Sequence, residues 1–518
     1  MYYPVSLKTT LTWAFFLTVA VACGYYYLVI RKAYFDDTYI YLTIARNAID
    51  YGTWQYYPQI VDRPALIASS PMRIVALTIA TGLSRLIGLS EHALFDAKVT
   101  LLISGWISWL FFLPFWRKRL GAYAIVGAIF AALSLCFDTT FEFEGGLLFL
   151  WITSLVFELR APDQNPKKIG WLLPLGVMIR PDMALPVVAL VLLRRLDKRL
   201  AALAQLRACV LPTIIIVVAW TALALGLRTY PIPVTYWAKA ALPFLVEKEH
   251  LLPLLPERLG VVLTEHLHLS PLEHSIIGWS TIILSAACAL LFRPKFGLLS
   301  LSAFLILALV ILSQLPANFW WYYQNIICLL IGFAVGVLLT EHEWCKLRLA
   351  SSLLGGGLLV IAVVGSFPNL GPSVWSPYLQ SRAQGYLSLA TLATGRGTVT
   401  LPSLGEVIIK NPEIGMMAYF SKRPFFQWDS AGLAQPLNNP AVLSSPLRFF
   451  YPKELRTTAI HDAQSIVDRI GKKLPVEDVW AMEDRDYARD RKYCQYVFPE
   501  YALCVNPFTV VKPRVPNG

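Results

Sequence analysis

Charge is scarce in this sequence. Of its 518 residues only 15% are Asp, Glu, Lys or Arg, 56% are hydrophobic, and the mean hydropathy is +0.54. A soluble globular chain carries about 25% charged residues, so a chain this poor in charge reads as a membrane protein. Several catalytic signatures are missing too. There is no P-loop, no GxGxxG after a strand, no HExxH and no GxSxG, so nucleotide-driven transport and serine hydrolysis lose support. Internal repeats and low-complexity tracts are also absent. Six of the eight cysteines (Cys23, Cys136, Cys209, Cys288, Cys328, Cys345) lie in or beside apolar runs, where packing is their expected role. Cys494 and Cys504 stand in a polar tail, and a disulfide between them would close a short loop if that tail lies outside the cytoplasm.

Long apolar runs are what the chain has in abundance. A helix crossing roughly 30 Å of hydrocarbon needs about 20 such residues. Leu11 to Ile30 is too long for a signal-peptide core and reads as a retained anchor. Further spans are expected at Ala97–Phe115, Leu120–Phe137, Gly146–Phe157, Cys209–Leu227, Ser275–Phe292, Phe296–Ser313, Asn325–Leu339 and Ser351–Phe367. Apolar stretches on either side of Arg180, from Trp171 to Leu193, read as a broken helix or re-entrant hairpin. The expected fold is a polytopic α-helical membrane protein with about 9–11 transmembrane helices.

Basic residues orient it. The short loops "WRKRL", "ELRAPDQNPKK", "LRRLDKRLAALAQLR", "RPK" and "CKLR" belong in the cytoplasm by the positive-inside rule. The N-terminus then lies inside. The loops Arg31–Asp96, Asp138–Gly145, Arg228–His274 and Gln314–Gln324 face out, as does the tail from Pro368. The net charge of +12 reflects those basic loops and an anionic substrate or lipid surface, and nucleic acid is not an expected partner. The chain divides into a membrane module, residues 1–367, and an extracytoplasmic domain, residues 368–518.

The first outer loop carries two expected interfacial helices. Ile40, Tyr41, Ile44, Ala45, Ala48 and Ile49 recur at helical spacing, with Thr43, Arg46, Asn47 and Asp50 on the other face and Gly52 as terminator. Ile74 to Leu83, bounded by Arg73 and Arg85, is too short to span. In the tail, "GEVIIKN" reads as a strand, "PEIGMMAYFS" as a helix, "RPFFQWDSAGL" as a strand running into a loop and "AIHDAQSIVDRIGKKL" as a helix, together a small α/β domain.

Several sites hold residues suited to chemistry. Asp36 and Asp37 adjoin at a bilayer boundary, where two carboxylates repel each other. One would suffice as a helix cap; a pair suits a general base with an orienting partner. Glu142 and Glu144 follow a span on the same side, in a solvated loop or a substrate site. Arg180 and Asp182 interrupt an apolar stretch, as a structural pair or as anion ligands, and Pro181 disfavours helix at Arg180. Thr235, Tyr236, Trp237 and Lys239 form an outer cluster suited to a phosphate and a sugar face, or else Lys239 snorkels beside an aromatic belt. Tyr322, in "NFWWYYQN", offers an aromatic platform or an interfacial belt residue. "TEHLHLSPLEH" gathers Glu265, His266, His268, Glu273 and His274 at spacings that fit no metal template. No cofactor is indicated, and a divalent cation lacks support.

The order of these motifs resembles the GT-C superfamily of integral-membrane glycosyltransferases, in particular the cell-wall arabinofuranosyltransferases that use polyprenyl-phosphate sugars. The matching segments, in order, are "DDTYIYLTIARN", "ASSPMRI", "FEFEGGLL", "RPDM", "PIPVTYWAK" and "PEIGMMAYFSKRPFFQWDSAGL". The acidic motif is shuffled relative to the family, and little is recognisable after Leu433. The resemblance implies a multi-pass enzyme of the inner (plasma) membrane with an extracytoplasmic active site. It would move a sugar from a polyprenyl-phosphate donor to a glycan acceptor hydroxyl with inversion. Asp36 or Asp37 would act as base. Arg180, Lys239 and Arg46 would hold the donor phosphate, and Glu142, Glu144, Asp182, Thr235, Tyr236, Trp237 and Tyr322 the substrates. A mannosyl or aminoarabinosyl transferase of the same superfamily, or an ion-coupled secondary transporter, are the alternatives.

Overall fold

The computed structural model describes residues 36–56, 58, 66–89, 93–116, 144–160, 165–180, 183, 187, 199–231, 233, 270–291, 390, 399–401, 405–411, 415–421, 428–429, 476–483, 494–498 and 501–505. The expected spans Leu11–Ile30, Leu120–Phe137, Phe296–Ser313, Asn325–Leu339 and Ser351–Phe367, and the tail helix "AIHDAQSIVDRIGKKL", lie outside the described residues. The chain forms two compact units. One comprises Met1–Arg31, Ser70–Leu223 and Phe244–Val374; the other comprises Lys32–Ser69, Ala224–Pro243 and Trp375–Gly518. The first part of the outer loop thus belongs to the same unit as the tail.

In order, the described helices are α1 (Asp36–Tyr51), α2 (Pro71–Leu86), α3 (Ala93–Trp116), α4 (Gly145–Arg160), α5 (Pro166–Ile179), α6 (Arg199–Gly226) and α7 (Pro271–Leu291). Within the first unit α2 packs on α3, α3 on α4 and α4 on α5. Helix α2 starts three residues before the expected Ile74: Ser70 caps it by accepting the Arg73 N–H at 3.4 Å, and Pro71 fills the first turn, where no N–H is needed. Its Ser84 hydroxyl donates to the buried Asp96 carboxylate, which also accepts from Thr100 at 3.5 Å. One acid on α3 therefore serves both helices. The apolar run Ile74 to Leu83 lies within α2 and has one buried and one exposed side. Ile74, Ala76, Leu77 and Ala80 are buried, while Ile79 and Leu83 are exposed.

Among the described residues two helices are long and apolar enough to cross a membrane, Asp96–Phe115 in α3 and Leu206–Gly226 in α6. Helix α6 begins ten residues before its expected start at Cys209, so most of its basic approach is helical too. Val210, Leu211, Ile214, Ile215, Val217, Val218 and Leu225 on it are all exposed. Such a surface suits hydrocarbon and would be an association liability in water.

Helices α4 and α5 form an antiparallel hairpin whose contacts run in strict register. At the connecting end the Lys168 ammonium meets the Glu158 carboxylate at 2.9 Å. Midway, the Trp151 indole N–H donates to the Leu172 carbonyl at 2.7 Å. Gly176 faces the same indole so closely that an added Cβ would lie 2.4 Å from Trp151 Cζ2, and Gly170 faces α6 with a Cβ position 2.4 Å from the Ala208 carbonyl oxygen. These glycines are small because neighbours fill their space.

The second unit contains α1, the short helix α8 (Gly415–Phe420) and six strands: β1 (Val399–Leu401), β2 (Gly405–Asn411), β3 (Trp428–Asp429), β4 (Val476–Glu483), β5 (Cys494–Phe498) and β6 (Tyr501–Val505). The sheet order is β1-β2-β4-β6-β5, with β3 pairing β2 off that path. β2 pairs parallel with β3 and β4, and the remaining pairs are antiparallel. "GEVIIKN" is β2 and "GMMAYF" is α8, where a strand and a helix were expected. Cys494 and Cys504 are directly opposed Cα partners in the β5–β6 ladder. Opposed residues of an antiparallel pair lie about 4.5–5.5 Å apart, inside the span a disulfide bridges.

Gly176→Ala should overpack the α4–α5 contact and destabilise the protein by about 1–3 kcal/mol. Thermal unfolding in detergent reads this out. A companion Trp151→Phe change, which shortens the ring system facing Gly176, should recover part of the loss.

Candidate functional site

Asp36 and Asp37 open α1, at the start the sequence predicts. The helix closes at Gly52, whose φ of +64° is the left-handed conformation that glycine adopts freely. Beyond that turn the Asn47 amide donates to the carbonyls of Gln55 (2.8 Å) and Tyr56 (3.0 Å). The Trp54 N–H and the Gln55 side-chain amide reach the carbonyls of Leu227 (2.9 Å) and Arg228 (2.8 Å), just before "PIPVTYWAK". The Ser69 N–H, from "ASSPMRI", donates to the Tyr41 hydroxyl at 3.2 Å, and the two hydroxyls lie 3.0 Å apart.

The polar face of α1 was expected to lie against headgroups or water. Part of it is instead covered: Thr43 and Asn47 are as buried as Ile44 and Ala45, Arg46 is half-buried, and Asp50 is exposed. Arg46 donates from Nη1 to the Tyr419 carbonyl and from Nη2 to the Ala418 carbonyl (3.0 Å), and its guanidinium carbon lies 5.4 Å from the Tyr419 ring centre. Two of its donors thus serve backbone rather than being turned to an anion. Tyr39, fully buried, sets its ring 5.4 Å from that of Tyr419 and 4.9 Å from that of Phe420.

In the first unit the structure joins the third and fourth motifs. Helix α5 ends at Ile179, and Arg180 is extended (φ −149°, ψ 128°), the break that Pro181 demands. The Arg180 N–H still donates to the Gly176 carbonyl at 3.0 Å. Its Nη1 lies 3.6 Å from Oε2 of Glu144, and both side chains are buried. Glu144 stands at the N-terminus of α4, where its carbonyl accepts the Leu148 N–H at 2.9 Å. Each charge sits at the helix end that favours it: the carboxylate at the N-terminus of α4, the guanidinium at the C-terminus of α5. Glu144 also has φ +65°, a strained conformation for a non-glycine residue.

Of the two acids of this motif, Glu144 is the one the structure describes. Glu142, Asp182, Thr235, Tyr236, Trp237, Lys239 and Tyr322 lie outside the described residues. Sequence reading gave no role to Tyr39 or Asp96 and placed Asn47 on the polar face of the helix. Their burial as polar or hydroxyl-bearing side chains is a packing property with no local signature. Among the described residues no three His, Cys, Asp or Glu side chains gather as metal ligands. Glu273 closes a capping box with Ser270, accepting its N–H and its hydroxyl at 2.7 Å each. The backbone N–H of Ser270, then its hydroxyl, holds the Glu273 carboxyl below the usual carboxylate range.

No family model and no curated protein matches the chain. Among solved structures it is similar to ArnT from Cupriavidus metallidurans, determined bound to undecaprenyl phosphate. The identity is 13%, the match covers 96% of this chain and 98% of that one, and the TM-score is 0.38. A TM-score of that size does not by itself establish a shared fold.

Removing one member of a buried ion pair leaves a buried charge behind. Glu144→Ala should therefore destabilise the first unit by about 3–5 kcal/mol, and the double change Glu144→Leu with Arg180→Leu should recover most of it. Thermal unfolding of the three proteins decides the point.

Proposed function

We propose that the protein is an inverting glycosyltransferase of the GT-C kind that transfers a sugar, best assigned as arabinofuranose, from a polyprenyl-phosphate donor to a hydroxyl of a cell-envelope glycan. The observation that carries this is the Glu144–Arg180 pair. It unites the acidic motif with "RPDM", 36 residues apart in sequence, at one end of the α4–α5 hairpin. The opposite end bears the basic loop and the Lys168–Glu158 pair. With 16 residues in α4, the two ends are about 24 Å apart, somewhat less than the roughly 30 Å of the hydrocarbon layer. The positive-inside rule assigns the basic end to the cytoplasm, so the buried pair falls on the outer side.

The chemistry follows from the donor. Its anomeric carbon is already activated, because a phosphate monoester leaves without protonation. The acceptor oxygen attacks that carbon from the face opposite the phosphate, the C–O bond to phosphate breaks, and the anomeric centre inverts. The acceptor proton passes to a carboxylate, Asp36 with Asp37 orienting it, or the reverse. A positioned base contributes about 10²–10⁴-fold. Arg180 and Lys239 offset the charge that develops on the leaving polyprenyl phosphate, and in a dry site such offset grows in strength. Glu144 fixes the Arg180 guanidinium. Asp182, Glu142, Thr235, Tyr236, Trp237 and Tyr322 are assigned to the sugars.

Purified protein incubated with a panel of polyprenyl-phosphate sugars should transfer one of them, arabinofuranose first, to a glycan acceptor. Asp36→Asn or Asp37→Asn should lower kcat by about 10²–10⁴-fold with the fold intact. Proton-coupled uptake of a solute with no transfer from any donor would overturn the assignment in favour of a transporter.

A further inference from the structure

We propose that Arg46 is a positioning residue, which fastens α1 to α8 of the tail and thereby holds the turn bearing Asp36 and Asp37 in place. This deepens the transferase reading and departs from a phosphate-binding role for Arg46.

The last four carbonyls of any helix lack partners within it. In α8, a helix of only six residues, the Met417 carbonyl accepts the Ser421 N–H at 3.0 Å. The next two carbonyls, Ala418 and Tyr419, accept from Arg46. A planar guanidinium can serve two neighbouring oxygens at once, and its positive charge suits the negative end of the helix dipole. The Tyr419 ring beneath it adds a cation–π contact. Tyr39 lies seven residues before Arg46, two turns earlier on the same helical side, and packs on Tyr419 and Phe420. Two contacts two turns apart fix the helix in both translation and rotation. Asp36 and Asp37 lie in the turn directly before Tyr39. All residues of α8 are buried, so the seat is a packed one.

The test is amide hydrogen exchange on the full-length protein in lipid nanodiscs, with steady-state transfer measured alongside. In Arg46→Ala, and in Tyr419→Leu, the amides of residues 38–50 should exchange about tenfold faster, while those of α4 keep the wild-type rate. Arg46→Lys retains the charge but cannot span both carbonyls, and should fall between; it gives the same reading if Arg46→Ala does not fold. In the transfer assay kcat should drop about tenfold or more with the KM for donor within twofold. Unchanged exchange in α1 would overturn the proposal. So would a raised donor KM at constant kcat, the signature of a phosphate ligand. If wild-type protein transfers nothing, the transferase assignment fails, yet the exchange data still decide whether Arg46 holds the turn.

Discussion

A charged group buried in an apolar helical unit must bring its partner with it. The cost of desolvating an isolated ion is several kcal/mol even after relaxation, and mutual attraction offsets it only with good geometry. The α4–α5 hairpin meets that constraint with Glu144 and Arg180 at the end away from its connecting loop, and the rest of the hairpin is arranged to make the meeting possible. Trp151 sets the register through one indole hydrogen bond, and Gly176 lets the two axes close on that ring. Pro181 stops α5 so that Arg180 turns extended, and Glu144 accepts a left-handed backbone where α4 begins. Strain and buried charge at the same residue mark a place that packing alone does not explain.

A different solution operates in the second unit. There the polar side of α1 meets backbone rather than opposite charge. Asn47 turns its amide to the carbonyls of the chain just past Gly52, and Arg46 turns to the end of α8. Backbone carbonyls are strong acceptors that carry no titratable proton, so contacts of this kind hold across a wide pH range.

Much of this was legible in the residues. Gly52 as a terminator, the break at Arg180 and the strand "GEVIIKN" all follow from local chemistry. The burial of Thr43 and Asn47 was not, because helical periodicity assumes one buried face. Here part of the second face is covered too, at Asn47 by the segment just past Gly52 and at Arg46 by the end of α8. That Glu144 stands just before α4 and meets Arg180 depends on where that helix begins, and a shuffled motif does not say. β5 and β6 are five residues each, too short for alternation to stand out. β4 reads "VEDVWAME", whose pattern breaks at Trp480 and Ala481.

Arg46 and the carbonyl it holds at Tyr419 are 373 residues apart. At a synthesis rate of about 5–20 residues per second, α1 waits on the order of 20–75 s for its seat to emerge. Until then Tyr39 and Arg46 lack the partners that seat them. The first loop must persist as a solvated or lipid-adsorbed segment while the rest of the chain is being threaded. A protein built this way seats its first-loop helix only after residue 419 has been made, which ties the maturation of that helix to a late step of translation.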